Sequence, residues 1–221
     1  MTTVPVSLHA LLTEPFAPTP PVAWRRDRWQ EWAERMGDGF AVVDGLGDTL
    51  DRAEVAAVVD DELARGRTVA AFVAAAAWVH GDAGDAAYRA ATVLAGTRRP
   101  TRADDRVVGA LHDAAEVARH DGPVAAHRTV LARRLHGLAG PALTAWLHFV
   151  SARRDPYGPH AAPVLDAPVR RRLATHAGLA VRDDRTLDYT RYVERLATWG
   201  RPFGRTPVQV EAAVRALGDL H

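Results

Sequence analysis

The sequence predicts an all-α fold, and three observations predict it. Apolar residues recur at helical spacing from Trp24 onward. No stretch alternates apolar and polar residues convincingly, as a half-buried strand does. Glycine, proline or a capping side chain bounds most of the periodic segments.

Taken in order, residues 1–20 are proline-rich (Pro5, Pro15, Pro18 and Pro20, running on into Pro21). They predict an extended N-terminal arm ahead of a helical domain over residues 21–221. Phe40-Ala41-Val42-Val43 reads as a short strand, though it has no partner. Asp51 to Leu63 sets Val55, Val58, Val59 and Leu63 on one helical face. Thr68 to Val79 is apolar all round and closes at Gly81, the pattern of a helix in the middle of a fold. At 12 residues it is too short for the roughly 20 needed to cross a membrane. Asp85 to Leu94 follows. Thr101 then reads as the cap of a long helix, with Asp104 three residues on and Val107, Val108, Leu111, Ala114, Ala115 and Ala118 inward. Gly122-Pro123 separates it from a helix over Val124 to Leu135. Asp188 opens a helix with Tyr189, Tyr192, Val193, Leu196 and Trp199 on one face, ended by Gly200 and Pro202. Thr206-Pro207-Val208-Gln209 is a capping box at the head of a last helix through Leu217.

The 221 residues suit one domain or two interlocked subdomains. Cysteine is absent, which excludes disulfides and thiolate metal sites and makes a reduced, cytoplasmic setting the default. The N-terminus lacks the ordered features of a signal peptide, so none is expected. Lysine, asparagine and isoleucine are also absent. This is the bias of a GC-rich genome, and it weakens any argument from arginine abundance alone. The net charge of +1 hides a polarity: residues 1–122 carry 13 Arg against 19 acids, and residues 123–181 carry 8 Arg against 2. A phosphate backbone would prefer the second region. Equally, an acidic half and a basic half can pair with each other.

The basic region holds a helical hairpin, expected at about 124–152. Its turn runs from His136 to Pro141 through Gly137, Leu138, Ala139 and Gly140. Such a turn can aim successive N–H groups outward, and the second helix adds the positive end of its dipole. Together they can hold one phosphate. An ordinary helix–glycine–helix connection has the same sequence. Asp166 stands 21 residues beyond Ala145, far enough for one helix and a returning loop. A carboxylate beside a sugar stabilises the positive charge that develops when an N-glycosidic bond breaks, and it can orient the attacking water. Asp166-Ala167-Pro168 is also an ordinary helix N-cap, and the two roles are compatible.

Several segments carry a family resemblance. Phe72 to Gly81 followed by Tyr88-Arg89, Gly137 to Phe149, Val164-Leu165-Asp166, and Tyr192, Trp199 and Val210-Glu211 occur in that order. Together they resemble the bacterial branch of 8-oxoguanine DNA glycosylase-fold proteins, in the helix-hairpin-helix glycosylase superfamily, over about Asp51 to Leu217. The resemblance implies two helical subdomains, double-stranded DNA (with a damaged or modified base) as partner, and Asp166 as the catalytic carboxylate. It implies DNA contacts from Gly137, Leu138, Ala139, Gly140, Pro141, Thr144, Arg170 and Arg171, with a monovalent cation at the turn and no other cofactor. The family's lysine positions hold Ala145 or Ala142 here, and the chain has no lysine anywhere. Lysine-dependent glycosylases attack the sugar with a desolvated amine; arginine stays protonated and cannot. No lysine Schiff base or lyase activity is therefore expected. The only remaining primary amine is the N-terminus at Met1, and nothing in the sequence brings it near the site.

Trp78, Trp146 and His148 are candidates for a base pocket. Trp146 and Phe149 at i and i+3 equally suit a core, and His148 suits a buried, hydrogen-bonded histidine. Arg170 to Arg172 fan over a wide arc and offer either phosphate contacts or a solvated face. His112, His120 and His127 lack the spacing and acid partners of a metal site, so no metal is expected. Two functions fit: a DNA-binding, lysine-independent glycosylase, or an inactive descendant that reads DNA or binds a protein.

Overall fold

A computed structural model describes residues 3–217, so the outermost ends of the expected arm and helical domain lie outside the described residues. In chain order the helices are α1 (Val6–Thr13), α2 (Arg26–Met36), α3 (Arg52–Ala64), α4 (Thr68–His80), α5 (Ala86–Ala95) and α6 (Asp105–His120). Then follow α7 (Pro123–Ala132), α8 (Gly140–Ala152), α9 (Ala167–Ala177), α10 (Thr186–Gly200) and α11 (Pro207–Ala216). The fold is all-α. Its strands, β1 (Val22–Ala23) and β2 (Thr49–Leu50), form one two-residue antiparallel pair. No helix among the described residues is long and apolar enough to cross a membrane.

Two apolar cores organise the chain. The larger lies around α4, whose alanine-rich surface lets α3, α5 and α8 approach closely. Ten of its residues from Thr68 to Trp78 are buried, so the apolar-all-round segment is the central helix the sequence predicts. The smaller core joins α1, α9, α10 and α11 around Tyr189, Tyr192, Leu196 and Trp199.

Four local expectations are corrected. Residues 6–13 of the proline-rich arm form α1, because Leu8 and Leu12, four apart, bury against the smaller core. Residues 38–45 form a 3-10 helix in which Phe40 and Val43 are buried, where a lone strand would have left its backbone groups unpaired. The long sixth helix is capped by Asp104, whose carboxylate accepts from Arg106 N–H at 2.8 Å, and Thr101 stays in the loop before it. The helix expected from Val124 to Leu135 stops at Ala132, with Arg134 at φ 49° turning the chain into the hairpin. The Thr206–Gln209 capping box forms with both of its hydrogen bonds.

A buried ionic cluster ties the two cores together. Arg52 on α3 and Glu211 on α11 are both buried and meet at 2.9 Å. Arg215, one turn beyond Glu211, pairs with it at 2.8 Å and reaches Asp166 at 2.6 Å. Burial by itself would raise the Glu211 pKa, but Arg52 and Arg215 outweigh it and hold the carboxyl down to about 2. The Arg52 guanidinium also lies over the Trp78 ring, 4.7 Å from its centroid. Removing either partner of such a pair strands a buried charge, at about 3–5 kcal/mol.

Candidate functional site

Asp166 is the N-cap of α9: its Oδ1 accepts from Val169 N–H at 2.9 Å. Proline at the first turn of the helix and a β-region cap residue favour this start. The other carboxylate oxygen accepts from Arg215 Nη1. Cap and ion pair together hold the side chain in one orientation at the edge of a cleft of ≈ 650 Å³.

The cleft has four walls. The end of α4 and the turn after it supply Trp78, Val79, His80, Gly81 and Asp82. Helix α5 supplies Tyr88, Arg89, Thr92 and Val93. The hairpin supplies Gly137, Ala139, Pro141 and Ala142, and Asp166, Ala167, Pro168 and Arg215 complete the ring. Thr19, Pro20 and Val22 of the N-terminal segment form its rim. The Thr19 hydroxyl lies 2.8 Å from the Tyr157 hydroxyl, which fixes that strap beside the cleft and leaves the cleft open. The volume lies within the range of small-ligand sites. His80 is neutral at pH 7: burial, then the nearby Arg89 charge, lower its pKa to about 4.

The hairpin turn needs its glycines. Gly137 has φ +73°, and a Cβ there would lie 3.2 Å from Val93 Cγ2 on α5. Gly140 has φ +59° at the head of α8. Ala139 precedes α8 without a side-chain cap, so no side chain of the N-cap residue covers the positive end of the helix.

The sequence-predicted residues divide sharply. Asp166, Gly137, Ala139, Pro141 and Trp78 meet in the cleft. Trp146 does not: it is fully buried, packs on Phe72 and donates its indole N–H to Leu111 O. His148 is also buried, donating Nδ1–H to Ala162 O at 2.7 Å and stacking on the inner side of Trp78. Leu138 faces the core. Thr144 is buried and not on a phosphate-facing surface. Its hydroxyl bonds back to Gly140 O and accepts from Leu165 N–H at 3.1 Å, tying α8 to the residue before Asp166. Arg171 is exposed, whereas Arg170 pairs with Asp183 at 3.0 Å. Met1 lies outside the described residues.

Two functional candidates escaped the sequence reading. Arg215 carried no signal beyond its i+4 spacing from Glu211. Asp183 sits in a polar loop 43 residues beyond Gly140, yet its Oδ2 lies where it would be 2.9 Å from a Cβ on Gly140. One internal carboxylate therefore touches both expected phosphate anchors, the turn and Arg170. If a phosphate binds there it competes with Asp183. Asp183→Asn is expected to tighten duplex binding about five-fold, near 1 kcal/mol, in a titration at fixed salt. Weaker binding would instead assign Asp183 to a bound cation.

An all-α fold in which a glycine-bearing helix–turn–helix and a capped carboxylate line one cleft is consistent with a DNA-glycosylase-like class. The family model described as "Putative 8-oxoguanine DNA glycosylase OGG-like protein" matches residues 17–214, and the chain belongs to that family. Comparison with curated proteins and with solved structures returns no match to either. Membership suggests DNA as substrate or partner.

Proposed function

We propose that the protein binds duplex DNA and excises a modified base through Asp166 and water, without a covalent amine intermediate. The observation that carries this reading is the position of Asp166, rigidly capped at the edge of the cleft that the hairpin turn also lines. The extruded nucleotide would place its base against Trp78 and His80 and its sugar beside the carboxylate. The carboxylate would offset the charge of an oxocarbenium-like transition state and orient water toward the anomeric carbon. The hairpin turn would hold a flanking phosphate on the uncapped end of α8. A monovalent cation at the turn would be held by main-chain carbonyls of residues 136–141, since Asp183 is already paired with Arg170. No step depends on it.

A second reading has its own support. Both Asp166 oxygens already accept hydrogen bonds, and Arg215 offsets the carboxylate's charge. A site so neutralised suits a protein that reads an extruded nucleotide without cutting it.

The test is fluorescence anisotropy with an abasic-analogue duplex and an intact duplex over a salt series, followed by excision assays on duplexes carrying modified bases. Tighter binding to the abasic duplex, weakening steeply with salt, supports lesion reading, and base release then separates enzyme from reader. No binding even at low salt sinks the DNA reading and leaves a protein-interaction module.

A further inference from the structure

We propose that the loop between α5 and α6, carried on the α5 wall of the cleft, is a second contact for the DNA backbone. This rests on the DNA reading above. Between Gly96 and Ala103 the chain reads Gly-Thr-Arg-Arg-Pro-Thr-Arg-Ala, with three arginines and no acid. The acidic balance of residues 1–122 as a whole hides this local excess.

Arg98, Arg99 and Arg102 are exposed, and their guanidinium groups make no ion pair or hydrogen bond among the described residues. Their neighbours behave differently. Arg89 pairs with Asp85 at 2.7 Å and Arg106 with Asp104 at 3.0 Å. Three exposed cations within five residues, with no ion-pair partner among the described residues, give the loop a local positive potential that attracts an external anion.

The backbone carrying them is held. Gly96 closes α5 in the left-handed region, and Asp104 N–H returns to Leu94 O at 2.9 Å. Tyr88, a cleft-lining residue, donates its hydroxyl to Arg98 O at 2.9 Å. The loop is therefore fastened to the cleft wall while its guanidinium groups face solvent. It also continues α5, the cleft-wall helix whose Val93 lies against Gly137 of the hairpin turn.

The chemistry favours phosphate. A guanidinium binds phosphate oxygens through paired N–H groups, and a row of them follows a phosphodiester chain. A protein partner would need apolar surface beside the charges, and Tyr88 is the only exposed large apolar side chain near this loop among the described residues.

The test compares the wild type with an Arg98→Ser, Arg99→Ser, Arg102→Ser triple variant, titrating intact and abasic-analogue duplexes over a salt series. Arg201→Ser, an exposed arginine beyond α10, is the control. The triple variant should bind both duplexes at least about ten-fold more weakly at low salt. Its plot of log affinity against log salt should be shallower by about 0.9 for each arginine in contact. The control should match the wild type. Wild-type binding with an unchanged slope in the triple variant overturns the loop contact and leaves the DNA reading standing. Absence of wild-type binding overturns both.

Discussion

Asp166→Asn should abolish base release, by at least about 10²–10³-fold, and leave binding to an abasic-analogue duplex within about two-fold of wild type. The asparagine carbonyl can still accept from Val169 N–H, since asparagine and aspartate cap helices equally well. Arg215 keeps Glu211 as a partner, so no buried charge is stranded. What disappears is the negative charge beside the sugar and an acceptor for the proton of the attacking water. Asp166→Ala removes the cap as well and should cost a further 0.5–2 kcal/mol, about the value of an N-cap. Single-turnover release measured beside a denaturant titration for both variants separates the roles. If Asp166→Asn releases base like the wild type and only Asp166→Ala loses stability, Asp166 is only a cap. If wild type and variant bind alike and neither releases a base, the protein is a reader.

The elements were largely legible in the sequence because each rests on local chemistry. Asp166 and Thr206 announce helix starts by capping, and both accept the expected main-chain hydrogen bonds. Helix α4 is apolar on every side, and only a central position satisfies that. Of the candidate site, the local geometry was legible at Asp166, a helix cap, and at Gly137 and Gly140, where positive φ requires glycine. Elsewhere the sequence could not decide between core and cleft. Trp78 and Trp146 are both large, buried aromatics, and only the close of α4 at Gly81 turns one of them to the cleft. The charges were least legible. Asp183 and Arg215 pair with residues far away in sequence or on another element, and Arg98, Arg99 and Arg102 have no ion-pair partner among the described residues. Neither property leaves a local pattern.

Acidification from pH 7 to pH 5 should cost the fold at least about 4 kcal/mol: two histidines that act as core residues supply that much, and the partly buried His80 acts in the same direction. His127 stacks on Tyr189 at 4.5 Å, and burial lowers its pKa to about 4 even though Asp183 acts in the opposite direction. Burial and then the Arg52 charge lower that of His148 to about 3. Both are neutral in the folded protein, while an unfolded histidine titrates near 6.5. At pH 5 the unfolded chain therefore binds protons that the native one excludes. Stability is complete above about pH 7 and falls as the pH drops, by about 2 kcal/mol per histidine at pH 5. Below about pH 4.5 Glu211 adds to the loss, since its folded pKa near 2 means that protonation favours the unfolded state down to that value. A domain of this kind has about 5–15 kcal/mol in total, so acid unfolding should be prominent. Urea titrations at pH 7.5 and 5.0 measure the drop, and His127→Phe, which keeps the ring stack, should shrink it by about 2 kcal/mol. Equal stability at the two pH values would refute the buried-neutral assignment. The same assignment bears on chemistry: His148 and His80 carry no charge at pH 7, so a base leaving this cleft departs without an imidazolium to protonate it. On the proposed reading, the charge on the sugar would then be left to Asp166, and its balance with Arg215 would decide between excision and reading.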